Sequence, residues 1–177
     1  MIKVWTDGNG FGFYAYVTEN RQGTIGRLEH TFKKRGRNAL CAEAQALLTA
    51  LENVRSDDVR IHVDSQAVLG LVARPDLLKK TKHQLVRPTI EAILEHLTDR
   101  KVEVRMNASG SKTVPVVASI LSTFTDGKVE LRWVRGRDNM AHDLLTPYRN
   151  VGRRWPTAHA GKTWVMPTWV RVSTRTP

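Results

Sequence analysis

A chain of 177 residues, 41% of them hydrophobic, is long enough for one domain with a real core, and it holds no apolar run near the ~20 residues that span a bilayer. The N-terminus, MIKVWTDGNG, has no apolar stretch of signal-peptide type, and a single cysteine, Cys41, excludes an intramolecular disulfide and a cysteine-rich zinc site. Twenty-eight Lys and Arg against seventeen Asp and Glu give a net charge of +11, a balance that points to a polyanionic partner such as nucleic acid or else to solubility alone. The expectation is a monomer in a reducing cytoplasm with no membrane partner.

In chain order, Ile2, Val4 and Thr6 alternate with Lys3, Trp5 and Asp7, the period of a strand. Gly8, Gly10 and Gly12 turn the chain, Phe13 to Thr18 returns as a second strand, and Thr24 to Lys33 forms a third that ends in the basic run Lys33-Lys34-Arg35-Gly36-Arg37. Leu40, Ala44, Leu47, Leu48, Leu51 and Val54 make one stripe at helical spacing, with Asn38 placed to cap that helix. Val59 to Asp64 reads as a strand and Ala67 to Val72 as a short helix. Leu77 to Leu97 reads as mostly helical with a break at Pro88. Lys101 to Met106 is a strand, Asn107 to Lys112 a loop, Val114 to Phe124 a helix entered at Pro115, Lys128 to Val134 a strand, and Asp138 to Leu145 a last short helix stopped by Pro147.

Residues 88–106, PTIEAILEHLTDRKVEVRM, and 115–133, PVVASILSTFTDGKVELRW, match at nine of nineteen positions with an offset of 27. Either a helix-to-strand unit has been duplicated, or two segments share one amphipathic pattern. Three strands followed by strands alternating with helices imply an α/β fold, a mixed sheet with helices packed on it.

Asp7 and Asp64 each end a strand, where ligands of open α/β sheets gather. Each alone also suits a turn or a helix N-cap. Glu43 falls at the margin of the apolar stripe beside Leu47 and Val54, either as a rim residue or reaching the sheet's end to join them. Asp143 follows Asn139 by four residues in the last helix. Carboxylates converging without a counter-ion raise one another's pKa, a problem that magnesium or manganese removes.

The segments Val4-Trp5-Thr6-Asp7-Gly8, Cys41-Ala42-Glu43-Ala44-Gln45-Ala46-Leu47, Val63-Asp64-Ser65-Gln66 and Trp133-Val134 through Asn139 to Asp143 resemble, in order and in element, the four-acid pattern of type 1 ribonuclease H, closest to its compact archaeal and plant-type branch. The resemblance covers roughly residues 1–147 and implies a ribonuclease H-like five-stranded mixed sheet, here with an extra helix-strand unit inserted around 107–127, followed by a basic, Trp-containing tail over 148–177. It implies an endonuclease that cuts the RNA strand of RNA–DNA hybrids with two Mg²⁺ ions, or Mn²⁺, leaving a 5′-phosphate and a 3′-hydroxyl. Asp7, Glu43, Asp64 and Asp143 would be both catalytic and metal-binding, with Gly8, Asn38, Ser65, Gln66, Arg135, Arg137 and Asn139 contacting the nucleic acid. The chain departs from the pattern at Asn38-Ala39-Leu40, where the family carries Thr-Asn-Asn, and it lacks the loop histidine before the last Asp; His142 stands directly before that Asp instead. Asp138 is the alternative fourth acid. A DNA nuclease or junction resolvase of the same fold, and an inactive nucleic-acid-binding module, are the competing readings.

His62 reads as a packed or surface histidine. Lys79, Lys80, Lys82 and Arg87 form either a basic patch or a solvated helix face. In the tail, Arg149, Arg153, Arg154, Trp155, Lys162, Trp164, Trp169, Arg171 and Arg175 interleave bases with aromatics, either to stack on bases and touch phosphates or to cover the core.

Overall fold

A computed structural model of the chain describes the backbone of residues 1–109, 111–148 and 170–173. The chain is α/β, with strands β1 (Ile2–Gly8), β2 (Phe13–Thr18), β3 (Gln22–Arg27), β4 (Asp58–Val63), β5 (Lys101–Ser109), β6 (Lys112–Phe124), β7 (Gly127–Trp133) and β8 (Val170–Ser173), and helices α1 (Arg35–Asn53), α2 (Gln66–Ala73), α3 (Arg87–Glu95) and α4 (Met140–Leu145). They form one mixed sheet in the order β5-β6-β7-β4-β1-β2-β3-β8. β1 lies near its middle, antiparallel to β2 and parallel to β4, and β4 is in turn parallel to β7. The sheet is therefore larger than the five strands expected, and β8, within a tail that shows no period, pairs antiparallel with β3. Arg149, Arg153, Arg154, Trp155, Lys162, Trp164, Trp169 and Arg175 lie outside the described residues. Among the described residues, no helix is long and apolar enough to cross a membrane.

The register assigns the faces. Thr6 pairs with Tyr16 and Asp7 with Ala15, so even and odd residues of β1 look to opposite sides. Val4, Ile61, Val63 and Leu131 pack with Leu47 of α1, Leu69 of α2 and Ile90 of α3 in the main core. Phe13 and Ala15 meet Leu145 of α4 on the other face.

Several elements differ from the sequence reading. β3 ends at Arg27, not Lys33, and β5 runs on through Ser109 with β6 starting at Lys112, where the sequence reads as a loop from Asn107 to Lys112. α1 begins at Arg35, not after Asn38, and its N-cap Lys34 makes no side-chain cap bond. Asn38 is buried instead: its Oδ1 accepts from the Phe32 amide at 2.6 Å and its Nδ2 donates to the carbonyls of Gly10 (3.1 Å) and Phe32 (2.8 Å). The stretch 77–97 is three pieces: two 3-10 turns, Pro75–Lys79 and Thr81–His83, then α3, entered just before Pro88. Arg87 closes this stretch by donating from Nε at 2.9 Å, and from its terminal nitrogen, to the Leu78 carbonyl, so it is a bracket as well as a surface charge.

The largest correction concerns Val114 to Phe124. This is not a helix but most of β6, which returns on β5 as a long hairpin. The inserted unit is thus strand-strand, and the two similar segments differ in structure: 88–106 is α3 and β5, whereas 115–133 is β6 and β7. The physical reason is composition. The first copy has Glu91, Ala92 and Glu95, which suit a helix, where the second has Ala118, Ser119 and Ser122. Thr113, Val114, Val116, Val117 and Thr123 add β-branched bulk that favours a pleated strand. β7 covers only Ser119–Phe124 of β6, so Pro115 sits where β6 has a single neighbour and its missing N–H costs no ladder bond. At the point where β7 leaves, the Gln66 side chain takes its place: Nε2 donates to the Val117 carbonyl and Oε1 accepts from the Val117 amide, both at 2.9 Å.

Candidate active site

Three of the four predicted acids come together at the carboxyl ends of the parallel strands. Asp7 is the penultimate residue of β1, and Asp64 follows β4 directly. Glu43 arrives from the third turn of α1. Gly8 allows this approach, because a Cβ at Gly8 would lie 2.3 Å from the Glu43 amide nitrogen and 2.4 Å from the Ala42 carbonyl carbon. Gly8 therefore holds helix against strand, a packing role distinct from the nucleic-acid contact expected of it.

Burial and mutual repulsion act together on the three carboxyls. Burial, then the Asp64 charge, pushes Asp7 up to about 6. Burial, then Asp64 and Asp7, pushes Glu43 up to about 7. Asp64 is also raised, chiefly by burial. The charged groups that set these values are the acids themselves and His142, in a chain whose net charge is +11.

The surrounding polar groups are already committed to this architecture. Ser65 caps α2 by accepting from the Val68 amide at 3.3 Å, and its hydroxyl hydrogen-bonds Glu43 and lowers it. Asn139 caps α4 by accepting from the Ala141 amide at 3.1 Å, donates to the Thr6 carbonyl at 2.8 Å, and hydrogen-bonds Asp64. One buried amide thereby ties together β1, the end of β4 and α4. Asp7 Oδ1 accepts the Gly8 amide at 2.9 Å.

The fourth corner differs from the expectation. Asp143 is exposed, and it is absent from the groups that perturb Asp7, Glu43 and Asp64. Asp138, the alternative, pairs instead with Arg137 at 3.9 Å on the surface. The residue of α4 that reaches the acids is His142, whose Nδ1 lies 3.1 Å from Asp7 Oδ2. Helical geometry explains the exchange: in a six-residue helix, 142 and 143 point about 100° apart, and Ala141 and Leu145 hold the buried side.

Arg135 and Arg137 are exposed on the turn that passes the acids, where a Cβ on Gly136 would come within 3.3 Å of Asp64 Oδ2. On the α1 side, Lys33, Lys34, Arg35 and Arg37 are exposed, and Arg35 lies 4.8 Å over the Phe11 ring. Arg135 and Arg137 thus flank a turn beside Asp64, and among the described residues no ion pair joins either to the acids. Asn38 and Gln66, by contrast, have both ends of their amides engaged within the protein and are not available to a ligand in this arrangement. His62 is stacked on Trp5 at 4.8 Å and 12°, and burial with Arg60, Arg132 and Lys3 nearby pulls it down to about 4, as a packed histidine.

The chain matches no protein-family model, and no curated protein is detectably similar to it in sequence.

Among the described residues, no group of three or more His, Cys, Asp and Glu side chains is placed to hold a metal ion as it stands. The donor chemistry nevertheless fits a hard divalent cation: three carboxylates with raised proton affinity, near enough to act on one another, with His142 as the cation that offsets Asp7 and Asp64.

Proposed function

We propose that this chain is a ribonuclease H-type endonuclease that hydrolyses the RNA strand of RNA–DNA hybrids, leaving 5′-phosphate and 3′-hydroxyl ends. The observation that carries the reading is the gathering of Asp7, Glu43 and Asp64, from three different elements, at the carboxyl ends of adjacent parallel strands. Binding alone gives a protein of charge +11 no reason to gather three mutually repelling acids, one buried and two half-buried.

The fold supports the same reading. The strands β3-β2-β1-β4-β7, with β2 antiparallel and β4 and β7 parallel to β1, resemble the five-stranded ribonuclease H sheet, and β5 and β6 extend it at one edge. Asp7, Glu43 and Asp64 would hold Mg²⁺, with Mn²⁺ as the alternative and Asp143 completing the set if α4 rotates toward it. Such ions supply Lewis acidity to a phosphodiester.

The protein's own groups do the rest. Arg135, Arg137 and the Lys33–Arg37 run offer phosphate contacts on either side of the acids and set the backbone across them. Ser65 and Asn139 hold Glu43 and Asp64 in place. His142, hydrogen-bonded to Asp7, keeps that carboxylate charged and stands ready to move a proton near the reacting phosphate.

One observation favours a broader substrate range, as for a DNA nuclease or junction resolvase of the same fold. Asn38 and Gln66, which the resemblance assigns to hybrid recognition, are occupied in holding the β3–α1 loop and β6. The two readings separate when the purified protein is incubated with labelled hybrid, duplex DNA, duplex RNA and a four-way junction in Mg²⁺ or Mn²⁺. The proposal expects cleavage of the hybrid's RNA strand alone. Cleavage of the junction or of duplex DNA at equal rates would replace it.

A further inference from the structure

Among the described residues the sheet ends at β5, a nine-residue strand with β6 on one side and no described strand on the other. Every residue from Lys101 to Met106 is exposed. On one face Val102, Val104 and Met106 stand 42%, 56% and 64% exposed. On the other, Lys101, Glu103 and Arg105 alternate with them, and Arg105 pairs with Glu103 at 2.8 Å. A long, exposed edge with an apolar face is a template for pairing with another strand.

The order of charges selects the partner. In an antiparallel pair of identical strands related by a two-fold axis, residues opposite one another lie on the same face, so the axis passes through one residue of each copy. An axis at Glu103 would set Glu103 against Glu103 and Lys101 against Arg105. One at Arg105 would set Arg105 against Arg105. An axis at Val104 sets Glu103 against the copy's Arg105 twice over and Lys101 against Asn107. It also lines Val102 against Met106 and Val104 against Val104 on the apolar side. An axis at Val102 would also oppose unlike charges, Lys101 against Glu103, but it sets Val104 against Arg100; of these four registers only the one at Val104 both opposes unlike charges and pairs apolar with apolar along Val102, Val104 and Met106.

We propose that β5 is the dimerisation edge of this protein, joining two copies into one continuous antiparallel sheet with its axis at Val104. This departs from the monomer expected from composition. It does not depend on the proposed nuclease activity. Because the partner strand runs in the opposite direction, the two acid clusters open on opposite edges of the joined sheet.

Sedimentation velocity of the full chain over a concentration series, in moderate salt, reads the association. The wild-type chain is expected to dimerise. E103R and R105E are each expected to weaken dimerisation by roughly tenfold, since each sets like charges opposite at two symmetric places. The double variant E103R/R105E restores the opposition and is expected to return to near wild-type association. V104K, which places two lysines face to face at the axis, is expected to be monomeric. Circular dichroism and thermal unfolding of each variant check the fold, since the single changes also break the Glu103–Arg105 pair within one chain. A wild-type chain that stays monomeric at its highest soluble concentration would overturn the proposal. So would a double variant as weak as the single ones.

Discussion

Gly8 and Glu43 are neighbours without space between them: a methyl group at Gly8 would sit 2.3 Å from the Glu43 amide nitrogen. The strand that carries Asp7 and the helix that carries Glu43 are therefore in backbone contact where their carboxyls meet. Gly8→Ala is expected to push α1 away from β1, costing on the order of 1–3 kcal/mol of stability and most of the activity. Thermal unfolding and hybrid cleavage measured on the same preparation check this. Wild-type values for both would show that the contact does not set the site.

Asp7→Asn is expected to abolish cleavage while retaining the fold and nucleic-acid binding. It should also stabilise the metal-free protein, because it removes a buried charge that Asp64 opposes. A carboxyl raised from 3.8 to about 6 implies a gain on the order of 1–3 kcal/mol near neutral pH. Denaturant titration in a chelator reads the stability and a cleavage assay reads the rate. Loss of both stability and activity would mean that Asp7 is a structural carboxylate.

The acids also fix a pH dependence. A carboxyl raised above its unfolded value binds its proton more tightly in the folded chain, so folding is favoured when that proton is present. With Glu43 at about 7 and Asp7 at about 6, the metal-free protein is expected to gain stability as pH falls from 8 toward 5 and to lose it on the return. Saturating Mg²⁺ should flatten or reverse this slope, because a cation competes with those protons. Melting temperatures across that range, with chelator and with Mg²⁺, give the comparison. The same slope in both would mean that the acids hold no metal.

Much of this arrangement is legible in the sequence because it rests on local signals. The alternation before Asp7, the stripe beneath Glu43 and the strand ending at Asp64 each follow from the period of their own element. The failures came where a tertiary contact overrode a local preference. Val114 to Phe124 has the spacing of an amphipathic helix, but its β-branched residues, with β5 on one side and Gln66 and β7 on the other, make it a strand. Asn38 reads as a cap, yet its amide is used to close the loop before α1. His142 and Asp143 are adjacent, and only the rotation of α4, set by Ala141 and Leu145, decides which of them faces Asp7.

That rotation gives a further prediction. The His142 charge lowers Asp7, so His142→Ala is expected to raise Asp7 further and move the acidic limb of the cleavage pH profile upward. Turnover is expected to fall by about 10²-fold if the ring also moves a proton. A changed rate with an unchanged profile would leave His142 a packing role. An unchanged rate and profile would mean that His142 takes no part in the site.

The activity proposed for the acid cluster is cleavage of RNA within a hybrid. Its most direct test is a DNA strand carrying a few ribonucleotides, annealed to complementary DNA and incubated with Mg²⁺ or Mn²⁺. A protein distinguishes RNA from DNA chiefly through the 2′-hydroxyl, so cleavage confined to the ribonucleotide positions, and lost in the Asp7→Asn variant, is the predicted result. Equal cutting at deoxynucleotides, or tight binding with no cutting in either metal, would contradict it.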